Sequence, residues 1–325
     1  MLLPYTARYR ILQRFSLIDS GNFDKLTAVL IDMLEKESVF GFEKKEEMLK
    51  ILKRYGAFSP KFLAIWLEKT PGEKPFFNFN GAIFPCLKGR DAEQFNYIFS
   101  DTFLFSVLFN DNYSAALVER LENFMSEGPY GYSAENFDVT VKADDVVIDA
   151  GAWIGDFSAY AASRGAASYA FEPSLATFKK LQETAALNGK SGGGGGIYPV
   201  NKGLGETDGE IELFMPDKYN TGANTIVETR SGLKSHSEKI KITTLDNFVH
   251  EQNLKKVDFI KADIEGAERD MLKGARGVLS EFAPKLALCT YHLPDDPQIL
   301  ESLIKDANPA YRVKHISKKL FAACR

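Results

Sequence analysis

Cysteine is scarce and scattered in this chain: Cys86, Cys289 and Cys324 are the three it has in 325 residues. An odd, widely spaced set builds neither a disulfide framework nor a zinc site, so all three read as core or surface thiols. Positive charge is not in excess either. Forty lysines and arginines against 44 acidic residues leave a net charge of −4, which excludes the basic footprint of a broad nucleic-acid surface. No apolar run approaches the ~20 residues that span a bilayer. Met1 to Arg8 lacks the charged-then-apolar layout of a secretory leader. No nucleic-acid or membrane partner is expected, and a cytoplasmic location is the default. What remains, 45% hydrophobic and 26% charged, is the composition of a soluble globular protein.

A further absence sits inside the most informative segment, Val146 to Ser158. Val146-Val147-Ile148-Asp149 reads as a buried strand that stops at an acid, turns through small residues and enters a helix near Phe157. Strand, glycine turn and helix start together form the usual cradle for a nucleotide-like ligand. A dinucleotide site needs glycines at the first, third and sixth turn positions. Those positions hold Gly151, Trp153 and Asp156, so the dinucleotide pattern fails. The pattern present, acid-x-Gly-x-x-x-Gly with Asp149, Gly151 and Gly155, suits a ligand without phosphates. A second acid follows 23 residues after Asp149: Tyr169-Ala170-Phe171-Glu172 is a short apolar run ending in a carboxylate. In α/β nucleotide sites such an acid accepts hydrogen bonds from the ribose hydroxyls.

The chain changes texture near residue 125. Residues 1–125 read as a mainly helical N-terminal cap or interaction region, with apolar residues at helical spacing in Phe23–Lys36 and Lys44–Tyr55, a serine-proline helix start at Ser59, and an Asn80-Gly81 hairpin signal. It carries no chemical motif and is a candidate surface for homo-oligomer formation. Residues 126–325 alternate strand and helix. Strands are expected at Val146–Asp149, Ser168–Glu172, Ile197–Asn201, Val257–Asp263, Leu286–Tyr291 and Lys319–Ala323. Helices are expected near Phe157–Ser163, Leu175–Leu187, Glu265–Leu279 and Pro297–Ala307. That alternation implies an α/β fold with a mainly parallel sheet. Glu210–Phe214 and Lys239–Thr243 alternate polar with apolar, as an inserted hairpin or sheet-edge strands would. Gly192 to Gly196 reads as a flexible connection, natural or engineered.

Further segments complete a family pattern: Thr243-Thr244-Leu245-Asp246-Asn247-Phe248, Val257 to Glu268, and Tyr291-His292-Leu293-Pro294. With the strand-turn-helix and Phe171-Glu172-Pro173, they resemble the FkbM-type S-adenosylmethionine-dependent methyltransferases over roughly residues 128–325. The resemblance implies the class I, Rossmann-like methyltransferase fold, a seven-stranded and mostly parallel sheet whose last strand runs antiparallel. It further implies S-adenosylmethionine as cofactor, S-adenosylhomocysteine as product, and a small-molecule or glycan acceptor.

Carried over by position, Asp149, Gly151 and Gly155 correspond to the family's first motif, with the backbone at Ala152 and Trp153 facing the methionine part. Glu172 corresponds to the ribose ligand, Asn201 to a residue near adenine, and Tyr130 to an aromatic closing over the cofactor. Asp263 ends the fourth strand next to the methyl group. Trp153 departs from the pattern, standing where glycine is usual.

The proton of a hydroxyl acceptor needs a base, and the candidates are Asp263, Glu265 and His292. Glu265 reads equally as a carboxylate stabilising the next helix's N-terminus, and His292 as a hydrogen-bonded loop residue. Asp263, Glu265, Asp295 and Asp296 offer oxygen ligands, but nothing in their spacing demands a metal and none is assigned. His236, His250 and His315 read as surface residues. The expected activity is a methyltransferase, most simply an O-methyltransferase for a sugar or natural-product hydroxyl. The rival is a cofactor-binding scaffold without turnover that works through its helical N-terminal region.

Overall fold

The computed structural model describes residues 49–50, 53, 76–79, 82–85, 130–189, 195–215, 236–316 and 318–324. Contacts along the chain divide it into two compact units, Met1–Asn80 with Cys86–Pro129, and Gly81–Pro85 with Tyr130–Arg325. The helices expected before residue 125 fall almost wholly outside the described residues. Strands β1 (Phe76–Phe79) and β2 (Ala82–Pro85) flank the Asn80-Gly81 turn signal. The rest of the fold belongs to the second unit.

A two-stranded antiparallel ribbon, β3 (Tyr132–Ala134) and β4 (Phe137–Val139), precedes the main sheet. The alternating segment then unfolds in chain order: β5 (Val146–Ala150), α1 (Asp156–Ser163), β6 (Ala167–Phe171), α2 (Leu175–Leu187) and β7 (Gly196–Val200). After β8 (Gly203–Leu204), β9 (Gly209–Met215), β10 (His236–Thr243) and α3 (Leu245–Glu251), it resumes. The remaining elements are β11 (Phe259–Ala262), α4 (Glu268–Lys273), α5 (Arg276–Glu281), β12 (Lys285–Cys289), α6 (Asp296–Ala307), β13 (Arg312–Ile316) and β14 (Lys319–Ala323).

Seven strands form one sheet in the order β13-β14-β12-β11-β5-β6-β7, with β14 antiparallel to both of its neighbours. This is the class I methyltransferase arrangement. The two central strands, β5 and β11, lie side by side, while the chain leaves β5 toward β6 and returns to β11 on the opposite side. Their carboxyl ends therefore mark the point where strand order reverses, where ligands bind in open α/β sheets. Side chains one apart pack on opposite faces. Val147, Phe259 and Ala287 bury one face with Phe157 of α1 and Phe321. Ile148, Ile260 and Leu288 bury the other with Leu272, Leu279 and Leu300 of the later helices.

Two elements differ from expectation. The helix expected over Glu265–Leu279 is two helices, preceded by a turn in which Glu265 (φ 55°) and Gly266 (φ 104°) are left-handed. The break at Gly274 has a packing cause: a Cβ there would lie 2.0 Å from the Gly205 carbonyl oxygen. The restart is anchored by Asp246, whose carboxylate accepts the amides of Gly277 (2.8 Å) and Val278 (2.9 Å). Of the two arrangements expected around β9 and β10, the inserted antiparallel pair is the one found, and it stands off the main sheet. It forms a separate three-stranded sheet, β8-β10-β9, with β10 parallel to β8 and antiparallel to β9. Of the thiols, Cys289 is buried and Cys324 partly so, both free, and Cys86 lies outside the described residues. No helix among the described residues is long and apolar enough to cross a membrane.

The Gly274 contact gives a test of this packing. Gly274→Ala forces backbone against backbone and should cost about 2 kcal/mol, the usual penalty of overpacking, read as a lowered midpoint in urea. An unchanged midpoint would mean that α4 and β8 do not meet as described.

Candidate functional site

Asp149 closes β5 and is fully buried. Its Oδ2 accepts the Ser158 hydroxyl of α1 at 2.6 Å, and Ser158 in turn meets Ser168 of β6 at 2.9 Å. Its Oδ1 lies 3.0 Å from the ammonium of Lys261, its register partner on β11. Lys261 is 3% exposed and also donates to the Gly151 carbonyl at 2.7 Å. Burial works against its charge, but Asp149, Asp263 and Asp156 outweigh that and raise its pKa. One buried ion pair thus holds the β5 turn against β11.

The turn itself is conformationally demanding. Gly151 (φ 74°), Trp153 (φ 48°) and Gly155 (φ 87°) are all left-handed, a region glycine enters freely and a bulky residue rarely. A Cβ on Gly151 would stand 2.1 Å from the Asp263 carbonyl oxygen, and one on Gly155 2.7 Å from Leu181 Cδ1. These two glycines are demanded by packing between elements as much as by a ligand. Trp153 therefore occupies a position with a glycine's backbone, which explains its oddity in the sequence.

Glu172, just past β6, is 7% exposed and accepts the amides of Ser174 (2.9 Å) and Trp153. Burial pushes its carboxyl up to about 8. Asn201 braces the same corner, donating to the carbonyls of Glu172 (2.9 Å) and Pro173 (3.0 Å).

Beyond β11, Asp263 accepts the Tyr130 hydroxyl on Oδ2 at 2.5 Å and lies 3.3 Å from the Tyr291 hydroxyl on Oδ1. Burial would raise its pKa, but Lys261, His292, the Tyr130 bond and Lys319 prevail and lower it. His292 Nδ1 meets Glu268 Oε1 at 2.9 Å. Glu268 is fully buried and also accepts the amides of Ile264 and Gly266, so it fixes both the turn and the imidazole. His292 Nε2 then faces Asp263 Oδ1 (3.3 Å) and Glu265 Oε2 (3.5 Å). Burial disfavours the imidazolium, yet Glu268, Asp263 and Glu265 together raise its pKa.

An open cleft joins the two corners. Gly151, Trp153 and Glu172 line it beside Asp263, Ile264 and Glu265, and the small sheet adds Leu204, Leu213, Ile240 and Ile242. No lysine or arginine is among its described lining residues.

The sequence-predicted residues separate into groups on this geometry. Gly151, Trp153, Glu172, Asp263 and Glu265 meet at the cleft, and His292 stands behind the last two. Asp149 lies beneath the turn. Ala152 is fully buried, with its amide committed to the Phe171 carbonyl at 2.9 Å. Tyr130 is a core residue, 3% exposed and edge-on to Phe157, that reaches Asp263 from below. Asp295 and Asp296 stand apart from the cluster, paired with Arg269 at 2.5 and 2.8 Å. His315, expected to lack a partner, pairs with Glu301 at 2.8 Å.

The family described as the methyltransferase FkbM domain matches residues 149–312, half of the chain and all of this site except Tyr130. The chain belongs to this family. Among relatives of this FkbM domain, Methyltransferase 1 of Beauveria bassiana is 31% identical over 157 residues, covering 42% of this chain and 61% of its own length. The hexuronic acid methyltransferase AglP of Haloferax volcanii is 26% identical over 175 residues, covering 54% of this chain and 67% of its own. The chain thus spans about three fifths to two thirds of these relatives. A solved FkbM methyltransferase from Methylobacillus flagellatus superposes with a TM-score of 0.45 at 21% identity, covering 72% of this chain and 60% of that one.

Sequence reasoning missed two members of the FkbM site. Lys261 had a signal: one lysine in the apolar run Phe259-Ile260-Lys261-Ala262 of a central strand needs a buried acid beside it. Glu268 had a weaker one, an acid three residues after Glu265.

Glu172 gives a pH test. A carboxyl whose folded pKa is raised contributes stability that is complete below the ordinary glutamate value and lost as pH rises through about 8. Glu172→Gln removes that loss. In ligand-free protein its melting temperature at pH 9 should exceed wild type by about 3 °C, the shift expected from ~1 kcal/mol in a chain this long, and the two should converge near pH 4. Equal melting temperatures at pH 9 would contradict the account of Glu172.

Proposed function

We propose that this chain is an S-adenosylmethionine-dependent methyltransferase that methylates a hydroxyl of a sugar or natural-product acceptor and releases S-adenosylhomocysteine. The observation that carries the reading is the single cleft whose lining brings Gly151, Trp153 and Glu172 together with Asp263 and Glu265. Its residues fit the cofactor. Glu172 keeps carboxylate lone pairs free of its two backbone bonds, as ribose hydroxyls require, and the apolar side chains of Leu204, Leu213, Ile240 and Ile242 suit a flat base.

When bound, the cofactor supplies a methyl group already activated on a sulfonium. The chain's part is alignment and proton handling, and alignment alone accounts for a large share of such rates. Asp263, held in orientation by Tyr130 and Tyr291, sits where the carboxyl ends of β5 and β11 meet and sets the acceptor's approach. The acceptor's proton would go to Glu265, on the cleft wall beside the His292 imidazole. Glu268 keeps the imidazole aimed at that position. The hexuronic acid named for the archaeal relative supports a sugar-class acceptor.

Calorimetry with S-adenosylhomocysteine tests the cofactor assignment. Wild type should bind with one-to-one stoichiometry, and Glu172→Ala should weaken binding about 100-fold, the worth of two hydrogen bonds at about 1.4 kcal/mol each. No binding by wild type, or equal binding by Glu172→Ala, would overturn it. Transfer of labelled methyl to a panel of neutral sugars and uronic acids then reports the acceptor class.

A further inference from the structure

We propose that Asp263, Glu265 and His292 form a binding site for one divalent first-row metal cation. One ligand atom from each residue lies within 4.8 Å of the others. Three donors about 2.1 Å from a shared ion, at tetrahedral or octahedral angles, stand roughly 3.0–3.4 Å apart. The observed separations from His292 Nε2, 3.3 Å to Asp263 Oδ1 and 3.5 Å to Glu265 Oε2, are close to that spacing.

A second observation points the same way. Among the described residues His292 Nε2 is fully buried and makes no hydrogen bond, although two carboxylate oxygens face it. A buried polar atom left in that state is costly, and a cation between the three groups would satisfy it. The surroundings supply the usual support for a metal-bound histidine, in which a carboxylate holds the second ring nitrogen. Glu268 does this at 2.9 Å from Nδ1 and is itself anchored by two backbone amides. Tyr130 fixes the Asp263 Oδ2 oxygen at 2.5 Å, leaving Oδ1 turned toward Nε2, with Tyr291 at 3.3 Å. Asp263 and Glu265 are 14% and 19% exposed and line the cleft, which gives an ion its entry path.

Two carboxylates and one imidazole form a mixed donor set, suited to Mn²⁺, Fe²⁺ or Zn²⁺ more than to Ca²⁺. Three protein ligands leave coordination positions for water or for acceptor oxygens. This site goes beyond the methyl-transfer reading and stands on its own geometry.

Mn²⁺ titrated into chelator-treated full-length chain, followed by calorimetry and by paramagnetic broadening of histidine ring signals, tests the proposal. One equivalent should bind, saturating at or below about 1 mM, the weak end of protein oxygen-donor sites. His292→Gln and Asp263→Asn should each weaken binding at least tenfold, and Glu268→Gln by about tenfold. Asp295→Asn, in the neighbouring Arg269 pair, should leave it unchanged. In wild type, which needs no variant to fold, the His292 signal should broaden before those of His250 and His315. Unsaturable binding, or broadening of the exposed histidines first, would overturn the proposal. S-adenosylhomocysteine affinity measured on the same samples separates its failure from failure of the methyltransferase reading.

Discussion

A lysine with almost no solvent exposure, paired with an aspartate that has none, is the constraint on which the site depends. Lys261 and Asp149 are register partners on the two central strands, and their pair is sealed from water. Desolvating two charges is expensive, and removing one partner of such a pair costs roughly 3–5 kcal/mol because the other is left buried and uncompensated. The pair is retained because each partner does more than neutralise the other. Lys261 also binds the Gly151 carbonyl, which fixes the turn, while Asp149 reaches Ser158 and through it Ser168. Four elements, β5, α1, β6 and β11, are thereby held at the point where strand order reverses.

From that anchor the cleft is built out of strained backbone. Trp153 and Glu265, both non-glycine residues, are left-handed, and both line the cleft. Each such residue costs on the order of 1–3 kcal/mol and persists only where its surroundings hold it. Trp153 is held by the Glu172 carboxylate on its amide. Glu265 is held within a turn whose flanking amides, Ile264 and Gly266, are bound by Glu268. The carboxylates of the site thus shape the backbone before they meet any ligand. Glu172 shows the cost: burial outweighs its two amide bonds and the charge of Lys261, and its carboxyl is pushed up to about 8 in the ligand-free protein.

Much of the fold was legible in the sequence because its signals are local. Leu175–Leu187 and Lys319–Ala323 match their expected bounds, the other five expected strands of the main sheet differ by one or two residues at their ends, and β13 had no expected bounds of its own. The misses share a cause, contact between segments distant in the chain. Nothing around Gly274 announces that Gly205 presses on it, so one long helix looked sound where two exist. The β9 and β10 alternation was visible, but not that β8 would join them as a separate sheet. Site residues divide in the same way. Acids ending strands, Asp149, Glu172 and Asp263, were findable from position alone. Tyr130 was read as an aromatic closing over the cofactor; that it reaches Asp263 from within the core depends on its packing against Phe157. Lys261 and Glu268 carry only the weak signals of a charge in an apolar strand and an acid after Glu265; which groups they hold appears only when neighbouring strands and turns are brought together.

The central claim is that the cleft between Glu172 and Asp263 receives the cofactor. The most direct measurement is the structure of the full chain with S-adenosylhomocysteine. The account predicts both ribose hydroxyls within hydrogen-bond distance of the Glu172 carboxylate, the base against Leu213 and Ile240, and the sulfur facing Asp263 and Glu265. A ligand seated elsewhere, or one whose ribose leaves Glu172 unbound, would contradict it.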